Sequence, residues 1–408
     1  MDVLHQRCAG LDVHQKTVVA CVRLVAQGTV SREVRTFGTT TRELLTLSDW
    51  LAACAVTHVA MESTGVFWKP VWHVLEEHFE LVLANAMHIR NIPGRKSDVN
   101  DATWIADLLA HGLIRGSFVP PAPIQELRDL TRTRTQLVRE VARHTLRLQR
   151  VLEDANLKLA AVVSDLLGVS GRAVLDALVA GEADPARLAD LTHGRLHVAR
   201  TTLVAALDGR VTPHHRFLLQ LHLGQIDALR AAVRDLEARL EEALHPFRAQ
   251  VERLKTVPGF RDIAVRVVLG EIGVDMGRFP TAGHVRSWGG LCPGLPESAG
   301  KRLSTRTRPG TPWLKTTLVQ AAWAAVRRRD TYLHAQFVRL KSRRGPKKAI
   351  LAVAASMLTA AYYILRDDVP YRDLGAEYFV RRDKTKLARH LVRRLQDLGL
   401  QVEIRPAA

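Results

Sequence analysis

The sequence predicts a mixed α/β domain at the N-terminus, followed by two mostly helical regions. Three observations predict this order: short strand-like apolar runs come first, two long stretches with heptad spacing follow, and helical segments separated by Gly- and Pro-containing turns end the chain. A chain of 408 residues is long enough for two or three domains with a substantial core. We predict domains at residues 1–120, 121–250 and 251–408.

The first domain shows a recognisable order of elements. The predicted elements are strands at 7–13, 17–24 and 29–37, a helix at 41–54, a strand at 57–62, a helix at 67–78, a strand at 80–85 and a helix at 101–113. Three strands in a meander and then alternating helices and strands form the ribonuclease-H-like arrangement, which places the first strand beside the end of the fourth. Pro120, Pro121 and Pro123 end this domain.

Heptad spacing predicts a coiled coil in the central region. The first seam comprises Leu127, Leu130, Arg134, Leu137, Val141, His144, Leu148, Val151 and Ala155. The second seam comprises Ile226, Leu229, Val233, Leu236, Leu240 and Ala243. The two helices could pair within one chain or between two chains, and residues 160–215 between them read as short helices. Arginines beside the first seam form a candidate track for phosphates: Arg128, Arg132, Arg139, Arg143, Arg147 and Arg150.

The C-terminal quarter carries nearly all of the excess charge. Residues 301–408 hold 24 Lys and Arg against 8 Asp and Glu, a net charge of +16 out of +18 for the chain. Such a field indicates a polyanionic partner, most plausibly nucleic acid, although a solubilising surface or an anionic membrane is an alternative. Just before it, residues 254–272 resemble a helix-hairpin-helix element, which either binds a phosphate or is a packing corner.

Cysteine usage and hydropathy point to a cytoplasmic protein. The four cysteines show no CxxC pairing and no close His spacing, so neither a zinc site nor a disulfide scaffold is indicated. No signal peptide is apparent. The longest apolar run, Ala349 to Leu365, contains Ser356 and Thr359 and reads as a buried helix, so we expect no membrane contact.

Four carboxylates stand where the predicted secondary structure changes. Asp12 lies in the first strand, Glu62 ends the fourth, and Asp98 and Asp101 open a helix. Each alone could be a helix cap or a turn residue. Together they would repel one another, and a divalent cation such as Mg²⁺ or Mn²⁺ resolves that repulsion. The sequence therefore predicts a metal site of the kind that cuts phosphodiesters, whereas Asp107 is expected to face solvent.

The second candidate site is the Gly- and Pro-rich loop Gly290–Arg302, with Ser298 near its tip. A serine is a poor nucleophile without help, which neighbouring cations can supply while they bind a phosphate. Serine in such a loop is also commonplace, so residue types alone leave its role open. The candidate nucleic-acid-binding residues at the two sites are Arg95, Lys96, Lys301, Arg302, Arg306, Arg308 and Lys315.

Seven motifs in one order resemble the transposases of insertion-sequence family 110. The matching stretches are Gly10–His14, Ala60–Gly65, Pro93–Ala102, Val257–Gly259, Gly290–Gly294, Glu297–Arg302 and Pro370–Gly375. Any one of them is weak evidence, whereas seven in the right order are specific. The resemblance covers almost the whole chain and is weakest around residues 160–215.

The resemblance implies a RuvC-like domain with an Asp-Glu-Asp-Asp tetrad and a C-terminal transposase domain with a serine. Asp12, Glu62, Asp98 and Asp101 would bind Mg²⁺ or Mn²⁺, and Ser298 would form a covalent phosphoserine link to DNA. A structured bridge RNA would specify donor and target DNA. The chain would act as a homo-oligomer, a dimer or tetramer, whose protomers complete one another's sites.

The sequence thus predicts a DNA transposase that excises and integrates an insertion sequence through a serine–DNA intermediate. One alternative is a RuvC-like structure-specific endonuclease that uses metal-activated water, with Ser298 only structural. A second alternative is a non-catalytic nucleic-acid-binding protein on a degenerate nuclease fold.

Overall fold

The chain folds into two compact units, Met1–Val119 and Pro120–Ala408. The computed structural model describes residues 3–26, 28–62, 65–85, 89, 101–192, 198–294, 297–298, 301–302, 304, 306–307, 310–382 and 384–403. A separate domain at 121–250 stays a prediction.

The first unit is built on a five-stranded mixed sheet of order β3-β2-β1-β4-β5. Its strands are β1 (Arg7–Val13), β2 (Thr17–Ala26), β3 (Thr29–Gly38), β4 (His58–Glu62) and β5 (Glu80–Ala84). β1, β2 and β3 pair antiparallel, whereas β4 pairs parallel with both β1 and β5. The predicted meander and the return of the fourth strand beside the first are therefore confirmed, and the sheet is consistent with a ribonuclease-H-like domain.

Helices cover both faces of this sheet: α1 (Thr41–Ala53), α2 (Trp68–Leu75) and α3 (Asp101–Ala110). Side chains alternate between the two faces of a strand. The odd residues of β1, such as Leu11, belong to the core cluster that includes α1 and α2 residues such as Leu47 and Leu75. The even residue Cys8 belongs to the cluster with Ile105 of α3. Even positions of β1 therefore face α3.

The second unit is mostly helical over its described length. Its main helices are α4 (Ala122–Asp154), α5 (Leu159–Val162), α6 (Val169–Ala180), α7 (Pro185–Asp190), α8 (Arg200–Leu207), α9 (Pro213–Leu244), α10 (Arg248–Lys255), α11 (Asp262–Ile272), α12 (Ala282–Trp288), α13 (Pro312–Ala325), α14 (Tyr332–Arg344), α15 (Pro346–Asp367), α16 (Tyr378–Arg382) and α17 (Lys384–Asp397). Single 3₁₀ turns lie at His245–Phe247 and Met276–Arg278, and two short strands, β6 (Glu297–Ser298) and β7 (Lys301–Arg302), form a hairpin.

The two long helices α4 and α9 pair with each other within one chain. The His215 Nε2 atom lies 2.9 Å from Asp154 Oδ2, and Arg134 Nε donates to Glu237 Oε1 at 2.9 Å. Residue numbers fall along α4 as they rise along α9, so the pair is antiparallel. Every predicted seam position is buried or half-buried. The predicted choice between one chain and two is thereby resolved as pairing within one chain, and a supercoiled coiled coil stays a prediction.

Residues 159–192 and 198–207 form a small helical cap on the far end of this hairpin. Leu175 and Leu203 of the cap share a core cluster with Leu152 of α4 and Ile226 of α9. At the near end, α4 packs against α11, and α15 packs against α12, α13 and α14. α15 is the one helix of the described chain that is long and apolar enough to span a membrane, yet many of its residues, such as Val353, are buried in the core.

Candidate functional site

Two of the predicted tetrad carboxylates lie side by side at one edge of the sheet. The parallel register pairs Leu11 of β1 with Met61 of β4, so the next residues, Asp12 and Glu62, are neighbours. Adjacent strands are about 4.8 Å apart, and both residues lie at even positions, on the face that packs against α3. Both residues are half-buried. The sheet therefore brings two carboxylates together at the ends of strands whose other residues are mostly apolar.

Close packing of α3 on β1 determines where the first residue of this helix, Asp101, lies along the strand. A Cβ built on Gly10 would lie 2.2 Å from the Ala102 carbonyl oxygen and 2.3 Å from the Ala106 nitrogen. Cys8, one pleat earlier, instead contacts the Ala106 carbonyl. The helix thus runs antiparallel to β1, and its first residue, Asp101, lies toward the Asp12 end of the strand. Only a glycine at position 10 permits this distance.

His14 is a neighbour of this edge that the sequence analysis missed as a site residue. Its Nε2 atom lies 3.1 Å from Asp12 Oδ2, and its ring is largely exposed, whereas the Asp12 side chain is only 18% exposed. His14 comes directly after β1, two residues from Asp12, and this spacing was available in the sequence. An imidazole here either helps to orient the carboxylate or carries a proton close to it.

The fit of a divalent metal to this edge rests on its donor chemistry. Half-buried carboxylates on neighbouring strands are the hard oxygen ligands that Mg²⁺ and Mn²⁺ prefer. Among the described residues, no group of three or more His, Cys, Asp or Glu side chains is close enough to hold a metal ion. Asp98, Arg95 and Lys96 lie outside the described residues, so the complete tetrad stays a prediction.

Asp107 does not simply face solvent, and that expectation is wrong. Its Oδ1 atom accepts hydrogen bonds of 2.9 Å from Arg23 of β2 and 2.9 Å from Arg32 of β3. The Arg23 side chain is only 4% exposed. Both arginines hold α3 on the sheet, so Asp107 anchors the helix that begins at Asp101.

Ser298 lies at the end of β6, beside the turn of a short antiparallel hairpin. The backbone register pairs Ser298 with Lys301 and Glu297 with Arg302, and a further bridge joins Pro293 to Thr307. Within the predicted loop, the described residues 297–298 and 301–302 are therefore paired as two short strands. The side chains of Ser298 and Arg302 lie outside the described set.

The base of this hairpin is held tightly against the helical unit. A Cβ on Gly310 would lie 2.4 Å from the Gly290 nitrogen, so the two backbones are in close contact. Lys315 of α13 donates to the Thr307 hydroxyl at 2.5 Å. Lys301 and Arg306 are exposed on the hairpin, and Arg308 lies outside the described residues. The predicted cations Lys301 and Arg306 are therefore accessible to an anion. Lys315 instead bonds to Thr307 and supports the residues that follow β7.

Several arginines of the predicted phosphate track on α4 have structural roles instead. Arg128 donates to the backbone carbonyls of Gly270 and Glu271, and burial lowers its pKa to about 10. Arg132 forms a two-pronged ion pair with the fully buried Glu271 carboxylate, at 2.8 and 2.9 Å. Arg132 and Arg139 also lie over the Trp313 ring, 5.9 and 5.0 Å from its centre.

The predicted helix-hairpin-helix is present as α10, a turn and α11. Gly259 in the turn has φ of 86°, and a Cβ there would lie 2.3 Å from the Ala321 carbonyl of α13. The turn is therefore packed against another helix, which favours the packing-corner alternative.

Comparison with known families matches both units. A DEDD transposase model of the IS110 type matches residues 9–157, and a transposase model of the IS116/IS110/IS902 family matches residues 251–339. The chain belongs to the IS110 family of transposases. As a family member it is a DNA-acting enzyme, and a DEDD domain implies dependence on divalent metal in general. No curated protein matches the sequence.

Proposed function

We propose that this IS110-family transposase cuts and rejoins DNA through a covalent link to Ser298, with Asp12, Glu62, Asp98 and Asp101 as metal ligands. The observation that carries the proposal is the parallel register of β1 and β4, which makes neighbours of Asp12 and Glu62. Neighbouring carboxylates at the edge of a buried sheet have no structural need for each other, since like charges in proximity raise the free energy of the fold.

A divalent metal bound there would neutralise negative charge on the phosphate and stabilise the attacking or leaving oxygen. The protein's own part is to hold the ligands in place before DNA arrives. Gly10 lets α3 approach β1, and Asp107 keeps the helix against Arg23 and Arg32. His14, 3.1 Å from Asp12, keeps that carboxylate oriented.

The serine step exchanges one phosphoester bond for another. The Ser298 oxygen forms a bond to a backbone phosphorus, the bond from that phosphorus to one sugar oxygen breaks, and the serine proton passes to solvent or a nearby base while the sugar oxygen is protonated. Reversal with a new strand end releases the serine. Lys301, across the hairpin from Ser298, and Arg306 would stabilise charge on the phosphate.

The basic C-terminal quarter supports a second nucleic acid beside the DNA. A net charge of +16 over residues 301–408 suits a long polyanion, and we propose a structured bridge RNA that specifies the donor and target DNA. We further propose that the protein is a cytoplasmic homo-oligomer joined through the α4–α9 hairpin. Leu146, Phe217 and Leu221 are exposed apolar side chains on these two helices, as an interface requires.

The deciding experiment is the trapping of a covalent protein–DNA adduct. Wild-type protein, Mg²⁺ and a cognate element end should give an adduct that resists denaturant and maps to Ser298. Ser298→Ala should abolish both adduct and strand cleavage, whereas Ser304→Ala, a matched change in the same segment, should retain both. If Ser298→Ala still cleaves while Asp12→Asn does not, metal-activated hydrolysis is the mechanism and the serine proposal is wrong.

The RNA proposal has its own readout. RNA transcribed from the DNA beside the gene should copurify with the protein, and recombination in a purified system should stop on ribonuclease treatment and resume when the RNA is restored. Recombination that proceeds unchanged without RNA contradicts guidance, and it leaves the serine mechanism untouched.

A further inference from the structure

A pocket of about 420 Å³ opens in the second unit, and no residue of the serine hairpin is among those that line it. Its walls come from α12, α14, α15 and the segment that follows α15. Most of the lining is apolar, with three tyrosines: Tyr332, Tyr363 and Tyr371. Its volume lies in the range of sites for small organic ligands.

One wall is the stretch Pro370–Gly375, a family-like motif that no step of the proposed reaction uses. Several bonds hold this stretch in place. Asp373 accepts hydrogen bonds from the backbone nitrogens of Tyr332, at 2.9 Å, and Gly375, at 2.7 Å. The Tyr371 nitrogen donates to the Thr256 hydroxyl at 2.8 Å. These hydrogen bonds fix the stretch to the start of α14 and to Thr256, which follows α10, so this wall is an integral part of the fold.

The tyrosines give the pocket aromatic surface for stacking. Tyr363 is 42% exposed, so part of its aromatic surface is open to a ligand. The Arg366 guanidinium lies over this ring, 4.6 Å from its centre, and pairs with Asp367, which fixes the ring's surroundings. Burial raises the pKa of the Tyr371 phenol, so its hydroxyl stays a neutral donor and acceptor.

Polar groups at the wall are few, as in sites that bind a flat heteroaromatic ring. Ser356 accepts a hydrogen bond of 2.9 Å from Gln336 and keeps its own proton to donate. The Gln336 Oε1 atom is buried and has no hydrogen-bond partner in the described part of the chain. Thr359 donates to the Ala355 carbonyl, which leaves its hydroxyl oxygen as an acceptor.

Two cations line the same pocket. Arg286 and Arg372 are both exposed, and neither pairs with a carboxylate of the described residues. Unpaired guanidiniums beside an apolar aromatic pocket match a ligand with a flat ring and an attached phosphate. An apolar side chain from another protein would leave both charges without a counterpart.

We propose that this pocket receives one unstacked nucleobase of the nucleic acid that the transposase holds, with the flanking phosphates on Arg286 and Arg372. Tyr363 and Tyr371 provide the stacking surface and Ser356 contacts the edge of the base. The inference rests on the nucleic-acid binding of the family and not on the chemistry of Ser298. It goes beyond the proposed reaction because it assigns a recognition site to the Pro370–Gly375 motif.

The test compares the affinity of the full-length protein for two probes by fluorescence anisotropy, without metal. One probe is a short single strand of mixed sequence, and the other has the same backbone with every base removed. Base stacking should make wild-type protein bind the first probe about tenfold more tightly or better. The same pair of probes is made once as DNA and once as RNA, and the comparison shows which nucleic acid supplies the base.

Two variants change the pocket in opposite directions. Tyr363→Ala removes stacking surface and Ala360→Phe fills the space, and both should lower the preference for bases by about tenfold. Tyr363→Phe should retain the preference, and so should Trp323→Ala, an exposed aromatic residue on α13 outside the pocket.

Unchanged preference in both pocket variants, with wild-type circular dichroism, overturns the proposal. A change in oligomeric state with unchanged preference overturns it too, and shows that a second copy fills the pocket. Failure to form a Ser298 adduct would leave the binding result standing, so the two proposals fail separately.

Discussion

The acidic edge of the first unit and the serine hairpin of the second are positioned by different means. Asp12 and Glu62 are fixed by the register of a buried sheet, and the helix that begins at Asp101 is fixed by the contact of Gly10 with its backbone. Ser298 stands on a hairpin with two residues in each strand, held at its base where Gly290 meets Gly310. The buried sheet thus determines the positions of Asp12 and Glu62, whereas local backbone contacts determine the position of Ser298.

This difference separates two kinds of mutational effect. Changes in the core of the first unit should move the carboxylates and alter metal dependence as well as stability. Changes on the hairpin should alter chemistry with little effect on the free energy of unfolding, because its two strands are only two residues long each.

The largest expected effect is that of Asp12→Asn on strand cleavage. Loss of one ligand removes several kcal/mol of transition-state stabilisation, so the cleavage rate should fall by about a thousandfold or more. Asp49→Asn, at an exposed position of α1, is the matched control and should leave the rate unchanged. Single-turnover cleavage of labelled DNA at saturating Mg²⁺ measures both. A near-normal rate in Asp12→Asn would remove this residue from the site.

The second-largest expected effect concerns the buried Glu271 carboxylate of α11, which pairs with Arg132 of α4. Glu271 is fully buried and accepts from Arg132 and from the Thr311 hydroxyl at 2.9 Å. Glu271→Gln leaves Arg132 without its counter-charge, and the cost should be about 3 kcal/mol, the low end for a buried pair because Arg132 is partly exposed. Denaturant unfolding followed by circular dichroism measures it.

The control for this change is the half-exposed ion pair of Glu237 with Arg134, which lies on α4 as Arg132 does. Glu237→Gln removes the partner of Arg134 and should cost under about 1 kcal/mol. Equal losses of unfolding free energy in Glu271→Gln and Glu237→Gln would show that burial of the Glu271 carboxylate gives its ion pair no larger role in stability.

A smaller effect is expected from Gly10→Ala. The added Cβ would collide with the backbone of α3, and relief of this overlap should cost about 1–3 kcal/mol in stability. The Mg²⁺ concentration for half-maximal cleavage should also rise, because Asp101 moves away from Asp12. Gly224→Ala in α9, where nothing lies within 4 Å, should instead be neutral or stabilising by up to about 1 kcal/mol. A normal Mg²⁺ profile in Gly10→Ala would contradict a link between α3 and the proposed metal site.

The smallest effect is a pH dependence of the helical hairpin. Burial lowers the pKa of His222, and the nearby His144 and Arg147 lower it further. The unfolded chain therefore takes up a proton more readily than the folded one, so the free energy of unfolding should decrease as pH falls from 7 through the ordinary histidine range. His222→Gln should flatten this slope. An unchanged slope would locate the pH dependence elsewhere.

Much of the first unit could be predicted from the sequence. All the described strands of the sheet lie within two residues of their predicted limits, because short apolar runs between polar turns leave little alternative. Asp12 and Glu62 could be paired because the order of elements fixes which strands are neighbours. Asp107 was misjudged, since its partners Arg23 and Arg32 are more than 70 residues away in the chain.

The sequence by itself determined the order of elements, the heptad faces of α4 and α9, and the concentration of positive charge in the last quarter, because these depend on local periodicity and composition. Only the tertiary structure decided that the long helices pair within one chain, that Arg128 and Arg132 serve the fold, and that the Pro370–Gly375 motif walls an aromatic pocket. Those outcomes depend on contacts between distant residues, and periodicity carries no information about which partner covers a given face.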